Sequence, residues 1–183
     1  LECVNPIRSD ERNGLEEESI LNQLLVRNRQ VYTDSLTKVF NRRYYDERIK
    51  NISGEYAVAM IDIDNLKDIN DRFGHAAGDT ALYRTAMSIR AVLRSNDELI
   101  RYGGDEFLLL FHGLPEQSLS VKLKNICTAV ENTDIAEYPG LRLSASIGGV
   151  YGTGRIGDML KKADDALYSA KKNRNCAVVF GEN

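Results

Sequence analysis

The sequence predicts an α+β domain preceded by a linker helix. Apolar runs of strand length alternate with segments in which apolar residues recur every three or four positions, as on one face of a helix. The pair Gly103-Gly104 separates two apolar runs and is typical of a hairpin turn. The predicted order from residue 34 is β-α-α-β-β-α-β-α-β. We therefore assign residues 1–33 to a linker or signalling helix and residues 34–183 to one domain.

The linker helix is predicted over residues 15–32. Four of its residues also fit the a/d seam of a parallel dimer with one polar a position, although the run is shorter than two heptads. The alternative is an amphipathic helix that packs on its own domain. The seam residues are Leu21, Leu24, Asn28 and Val31.

The first strand and two helices follow from apolar runs and their end signals. Residues 56–64 form an apolar run that ends in carboxylates, which predicts a buried strand. Residues 65–72 form a short helix that stops at Gly74, and Asp79 is predicted to cap a second helix that runs to Leu93. Strands at 98–102 and 107–111 flank the hairpin turn. The remaining elements are a helix at 119–130, a strand at 141–150, a helix at 156–172 and a strand at 177–180.

Composition excludes several classes of protein. The 183 residues include 24 Lys and Arg against 27 Asp and Glu, so the formal charge of −3 disfavours sequence-independent binding to nucleic acid. Three cysteines lie far apart without a CxxC pair, which predicts neither a disulfide framework nor a zinc cluster. They are Cys3, Cys127 and Cys176.

The ends of the chain bear on its location. No apolar run approaches the ~20 residues of a membrane helix, and the first residues are too polar for a signal peptide. We expect the chain to be a piece of a longer protein. Its domain is expected to be cytoplasmic, whether or not the full-length protein is anchored in a membrane.

Carboxylates at a predicted strand end and at the hairpin tip are the candidates for metal chemistry. Asp62 ends the first strand, while Asp64 is placed to cap the next helix; Asp105 and Glu106 lie at the hairpin tip. If the hairpin pairs beside the first strand, Asp62 and Asp105 converge, and a cation is needed between them. Oxygen ligands without His or Cys select Mg²⁺ or Mn²⁺. The alternative is an ordinary helix cap and a polar turn.

A nucleotide site is predicted beside these acids. The start of the helix at 65–72 offers free backbone N–H groups to a phosphate, and Lys67 lies in its first turn. Asn70 and Asp79 can match the donors and acceptors of a guanine edge, on which a carboxylate accepts protons that adenine lacks. Their alternative roles are a late-helix polar residue and a helix cap.

Five ordered blocks resemble the GGDEF family of bacterial diguanylate cyclases. They are RYGGDEF at 101–107, DSLTKVFNRR at 34–43, DIDNLKDIND with FGHAAGD at 62–79, SIG at 146–148 and ADDALYSAK at 163–171. The resemblance implies a palm-like fold, related to nucleotidyl cyclases and ferredoxin-like domains, with a central antiparallel sheet flanked by helices. It implies an enzyme that joins two GTP molecules into cyclic di-GMP and releases two pyrophosphates. A catalytic homodimer and an upstream sensory region would complete the system.

The resemblance also implies residue roles at the reacting centre. Asp62, the backbone carbonyl of Ile63 and Asp105 would hold Mg²⁺, with Mn²⁺ as a possible substitute. Asp105 or Glu106 would receive the proton of the 3′-hydroxyl, and Lys67 would stabilise phosphate charge.

Further roles concern the nucleotide. Asn70 and Asp79 would read guanine, Leu66 stands where the family has an aromatic residue, and His75 would lie near the nucleotide or be structural. The late basic pair that grips the terminal phosphates matches Lys171 and Arg174. The pair is one residue closer than in the family, a spacing that would keep both on one helix face.

A last block resembles the RxxD product-inhibition site of the family. Arg94 and Asp97 could together grip a guanine of cyclic di-GMP. The alternative is an exposed ion pair at a helix end.

Two other functions remain open from the sequence: a catalytically silent receptor for cyclic di-GMP, and a cyclase that uses ATP in part.

Overall fold

The computed structural model describes residues 30–181 of the chain. Its strands and helices are numbered in chain order from residue 42 onward. The strands are β1 Ser53–Ile63, β2 Glu98–Arg101, β3 Glu106–Phe111, β4 Ala145–Arg155 and β5 Ala177–Val179. The helices are α1 Arg42–Tyr44, continued by a π-helical turn Tyr45–Ile49, α2 Leu66–Phe73, α3 His75–Ala91, α4 Glu116–Glu131 and α5 Ile156–Ala170.

One sheet in the order β2-β3-β1-β4-β5 confirms the predicted α+β class. All neighbours are antiparallel except β4 and β5, which run parallel. The sheet is therefore mixed, not wholly antiparallel as the palm resemblance implied. The reason is the connection: α5 crosses over between β4 and β5, and a helical crossover returns the chain in the same direction.

The sheet separates two cores because neighbouring residues of a strand point to opposite faces. Ala59 and Ile61 face the cluster that α3 and α4 cover, whereas Met60 belongs to the cluster under α5. Both faces of β1 are apolar, as expected for a central strand buried on both sides. Asp62, the next residue on the α5 side, thus lies at the end of the buried part of this strand, which runs from residue 57 to residue 63.

Several boundaries differ from the predicted ones. The helix predicted to be capped by Asp79 begins at His75, directly after Gly74 with its φ of +87°, so the predicted cap is wrong and Asp79 lies inside α3. The strand predicted at 141–150 begins at Ala145 and extends to Arg155, because β1 pairs with it back to Ser53. The helix Arg42–Tyr44 was not predicted, since it has no apolar stripe; its Tyr44 ring stacks on the ring of Phe40, which precedes the helix, with the ring centroids 3.9 Å apart.

The residues through which the chain enters the domain are held by hydrogen bonds from Asn41. Gln30, Val31 and Tyr32 are helical, and the remainder of the predicted linker helix, including Leu21, Leu24 and Asn28, lies outside the described residues. The Asn41 side-chain amide donates to the carbonyl of Val31 at 2.9 Å, and its backbone N–H donates to that of Tyr32 at 2.8 Å.

A further connection joins this segment to the sheet. Phe40 forms isolated bridges with Thr33 and with Ile100 of β2. In the part of the chain that the structure describes, no helix is long and apolar enough to cross a membrane, and Cys127 and Cys176 are both free thiols.

Gly148 sets the distance between β4 and α5. A Cβ built on Gly148 would lie 2.0 Å from the backbone nitrogen of Leu167 and 2.2 Å from the carbonyl oxygen of Ala163. Gly149 faces the other side, where its Cβ would lie 2.4 Å from a methyl group of Leu123. The double glycine therefore lets helices pack closely on both faces of β4.

We predict that Gly148→Ala lowers the free energy of unfolding by about 3 kcal/mol, because helix backbone must move to admit the methyl group. Gly152→Ala in the same strand is the control, since no atom lies within 4 Å of its Cβ. Urea denaturation of both variants measures the difference. Equal midpoints for the two variants would contradict the assignment of close packing to Gly148.

Candidate active site

The end of β1 and the hairpin turn meet as the sequence predicted. Asp62 is the register partner of Glu106 in the antiparallel pair of β1 and β3. The backbone N–H of Ile63 donates to the carbonyl of Asp105 at 3.2 Å. Three acidic residues from two distant segments are thereby gathered at one end of the sheet.

Asp62 is buried next to like charges and one cation. Its residue exposure is 8%. Burial raises the pKa of Asp62, and the charges of Asp105 and Glu106 raise it further, against the opposing effect of Lys171. The Lys171 ammonium donates to Oδ2 of Asp62 at 2.7 Å. This carboxylate therefore lies where a second positive charge would relieve its repulsion from its neighbours.

The donor set fits a hard divalent cation shared with phosphate oxygens. Among residues 30–181, no three His, Cys, Asp or Glu side chains form a group that could hold a metal by themselves. Mg²⁺ commonly takes only one or two carboxylates and completes its shell with water and phosphate. Asp62 and Asp105 offer that smaller set, and the position of the Lys171 ammonium shows that a cation fits beside Asp62.

Asp64 has a different role from the predicted helix cap. Its carboxylate accepts hydrogen bonds from the hydroxyls of Ser144 and Ser146 at 2.9 and 2.7 Å, and from the backbone N–H of Asn175 at 3.0 Å. The helix cap position is instead Asn65, which has a φ of +58° and no capping hydrogen bond. Asp64 therefore fastens the segment after α5 to the end of β1.

The late basic pair does not lie on one helix face as expected. The helix ends at Ala170, Lys171 is its C-cap, and Arg174 follows in a loop with a φ of +57°. The loop nevertheless returns Arg174 to the site, where its guanidinium donates to Oδ1 of Asn65. The structure thus brings Lys171 and Arg174 to the same end of β1 by a route that the helix prediction missed.

The start of α2 is open as predicted. No side chain caps its first N–H groups, and Lys67 lies exposed in the first turn. Leu66 is half-buried and packs against the larger core cluster. A phosphate could therefore reach the backbone N–H groups next to the carboxylates.

The predicted base-reading residues lie on two packed helices. Asn70 of α2 is half-buried against Gly78 of α3, and Asp79 is the next residue in α3. His75 is exposed at the first position of α3. Asp79 also lines a cavity of about 380 Å³, which sequence reasoning did not find. Its other lining residues are Leu36, Thr80, Tyr83, Arg84 and Glu137.

Arg94 and Asp97 do not form the ion pair considered as the alternative. The Asp97 carboxylate accepts from the backbone N–H of Arg94 at 3.0 Å, and the structure shows no contact between this carboxylate and the Arg94 guanidinium. Both residues follow the end of α3 in the connection to β2, where Arg94 is exposed. The Arg94 guanidinium is therefore accessible to a ligand.

A family model for "Diguanylate cyclase, GGDEF domain" matches residues 31–176. The chain belongs to the GGDEF family.

Proteins related in sequence carry matching names. A protein named "Diguanylate cyclase A" from Treponema denticola is 30% identical over all of this chain and 54% of its own length. "Diguanylate cyclase TpbB" from Pseudomonas aeruginosa is 36% identical over 78% of this chain and 36% of its length. "Probable diguanylate cyclase DgcC" from Escherichia coli is 31% identical over 76% of this chain. The chain spans about half the length, or less, of these relatives.

Solved GGDEF structures share the fold. The GGDEF domain of TpbB from Pseudomonas aeruginosa is 32% identical, with a TM-score of 0.73 over 81% of this chain and 94% of that one. The coiled coil and GGDEF domain of DgcB from Caulobacter crescentus has a TM-score of 0.79 over 92% of this chain and 95% of that one, at 24% identity. The palm-like α+β prediction is thus confirmed.

Sequence reasoning did not find the ion pair that supports the GGDEF turn. Arg101, at the start of the signature, binds Asp34 at 3.2 Å and donates to the carbonyl of Gly104 at 2.8 Å. Asp34 also accepts from the backbone N–H and hydroxyl of Thr37 at 2.8 and 2.7 Å. The only indication of this ion pair in the sequence was that Asp34 and Arg101, which carry opposite charges, each begin a block of the family pattern.

This ion pair makes stability depend on pH. Burial alone would raise the pKa of Asp34, but the hydrogen bonds from Thr37 and the charge of Arg101 outweigh it, and the pKa lies below its ordinary value of 3.8. A lowered carboxyl pKa stabilises the fold above the unfolded value, and this stabilisation is lost as pH falls through the folded value.

We therefore predict that Asp34→Asn lowers the free energy of unfolding by about 2 kcal/mol at pH 7, and that the difference from wild type shrinks as the pH falls below the ordinary carboxyl pKa of 3.8 and through the lowered pKa of folded Asp34. Thermal unfolding across pH measures both. Asp158→Asn, which breaks an exposed pair with Arg155, is the matched control and should change stability far less. A difference that persists unchanged in acid would refute the role of the Asp34 charge.

Proposed function

We propose that this domain is a diguanylate cyclase that condenses two GTP molecules into cyclic di-GMP with release of two pyrophosphates. The observation that supports it most is the convergence of Asp62 with Asp105 and Glu106 at the open start of α2. Family membership supplies the substrate class.

In each half of the reaction, one bond forms and one breaks. The 3′-oxygen of one GTP bonds to the α-phosphorus of the other, the bond from that phosphorus to the bridging oxygen of pyrophosphate breaks, and the hydroxyl proton passes to Asp105 or Glu106. Such phosphoryl-type transfer depends mainly on positioning and charge stabilisation. Two domains must face each other, so we propose a two-fold homodimer.

The phosphates would be held by the groups at the end of β1. Asp62, the Ile63 carbonyl and Asp105 would hold Mg²⁺ or Mn²⁺, which neutralises phosphate charge when bound. Lys67 contributes a cation from the first turn of α2. The Lys171 ammonium would transfer its hydrogen bond from the Asp62 carboxylate to a phosphate oxygen.

Arg174 and the base-reading residues complete the nucleotide site. Arg174 can turn from Asn65 to the terminal phosphate. Asn70 and Asp79 would bind the guanine edge, Leu66 would supply an apolar contact, and His75 would lie near the nucleotide. The carboxylate at Asp79 favours guanine because adenine has an unprotonated N1.

Regulation is proposed at two places. The linker in residues 1–33 would transmit the state of an upstream sensory region and promote pairing of two domains. Among GGDEF proteins, diguanylate cyclase SiaD from Pseudomonas aeruginosa, with 28% identity and a TM-score of 0.75, has been solved "in complex with its activator SiaC". Arg94 and Asp97 would bind cyclic di-GMP as a feedback inhibitor.

Asp105→Asn is expected to abolish formation of cyclic di-GMP from GTP and Mg²⁺ while thermal unfolding stays unchanged, since metal and proton-acceptor roles are lost together. Product chromatography measures turnover. Asp165→Asn, an exposed position on α5, is the control and should be as active as wild type. Binding of cyclic di-GMP without any turnover in the wild-type chain would favour the silent receptor instead.

Asp79→Ser should reduce the preference for GTP over ATP about tenfold, because the guanine N1–H then lacks its acceptor. The ratio of kcat/KM for the two nucleotides is the measurement. Asp71→Ser, an exposed change on α2, serves as the control. An unaltered ratio in Asp79→Ser would remove this residue from base recognition and leave partial use of ATP open.

Arg94→Ala should raise the cyclic di-GMP concentration for half-inhibition at least tenfold, when each protein is compared with its own uninhibited rate. Inhibition of the wild type should be non-competitive with GTP, because the site is separate from the carboxylates. Arg90→Ala, also exposed near the end of α3, is the control. Equal inhibition of Arg94→Ala and wild type would return this residue to a surface role.

A further inference from the structure

Asn70 occupies the space that a side chain at Gly78 would need. A Cβ built on Gly78 would lie 1.9 Å from Oδ1 of Asn70 and 2.8 Å from its Cγ, and the three nearest heavy atoms all belong to Asn70. Real atoms do not approach so closely. The position of the Asn70 amide therefore requires that residue 78 has no side chain.

No hydrogen bond within residues 30–181 fixes the Asn70 amide. Its backbone is held, since the Asn70 carbonyl accepts from the N–H of Gly74 at 2.8 Å, but the side-chain amide has no partner in the described part of the chain. Contact with the bare backbone of α3 is thus what orients it. An unpartnered, half-buried amide is free to bind a ligand group.

Gly78 is not required by the helix itself. It lies in the first turns of α3, where its φ is not in the left-handed region, and alanine is the better helix former. Glycine at this position therefore matters because it leaves room for a neighbouring group. It concerns the neighbouring side chain and not the backbone of α3.

We propose that Gly78 is a positioning residue for base recognition, which keeps the amide of Asn70 directed for binding of guanine. This inference rests on the proposed function. A methyl group at residue 78 displaces the end of the Asn70 side chain, which can rotate, so the fold tolerates the change. Binding of the base is weakened while the stability of the domain is retained.

The test is a double-mutant cycle on GTP binding. With Ca²⁺ in place of Mg²⁺ and GTP as the probe, Gly78→Ala and Asn70→Ala should each raise the dissociation constant about tenfold. The double variant should bind no more weakly than Asn70→Ala alone, because the alanine at 78 then has no amide to displace. In steady-state assays, Gly78→Ala should raise KM more than it lowers kcat.

Thermal unfolding separates positioning from packing. Gly78→Ala should unfold at the wild-type temperature or above it, and Gly152→Ala, with no neighbour within 4 Å, should bind GTP as wild type does. Wild-type affinity in Gly78→Ala, a tenfold further loss in the double variant, or a lowered unfolding temperature would each overturn the inference. If the wild-type chain binds no GTP, the proposed function fails together with it; if only Gly78→Ala behaves as wild type, the proposed function stands.

Discussion

The antiparallel pairing of β1 with β3 is the constraint on which the rest of the site depends. It joins residues that are more than forty positions apart and fixes Asp62 opposite Glu106. A slip of one residue would exchange the side chains that β1 sends to its two cores and would turn Asp62 towards α3 and α4, so the packing of both cores holds the register. The energy that places the acids together is therefore hydrophobic burial on both faces of the sheet, and the acids themselves contribute repulsion.

That repulsion explains the arrangement of cations around the site. A buried carboxylate next to other carboxylates is costly unless a positive charge compensates it. Lys171 provides this charge from the end of α5, and Asp64 holds the following loop against β1 through the N–H of Asn175. Structural and proposed catalytic interactions are thus divided between two aspartates that lie two residues apart.

The sequence was sufficient for features that depend on local patterns. Apolar runs located β1 and β3, the double glycine located the hairpin, and the acids at their ends predicted the convergence. Features set by tertiary contacts could not be predicted from the sequence. The start of α3 at His75, the parallel pairing of β5 and the ion pair of Asp34 with Arg101 depend on packing partners that no local window contains. The roles of the site residues remain predictions.

Residues 31–34 connect the preceding helix to the rest of the domain through several hydrogen bonds and one ion pair. Consecutive carbonyls at Val31 and Tyr32 are held by Asn41, and Asp34 is held by Arg101 at the base of the hairpin. Hydrogen bonds at successive peptide units restrict rotation about the backbone bonds between them. We therefore expect a rotation applied at residue 30 to be passed to the hairpin turn through these contacts.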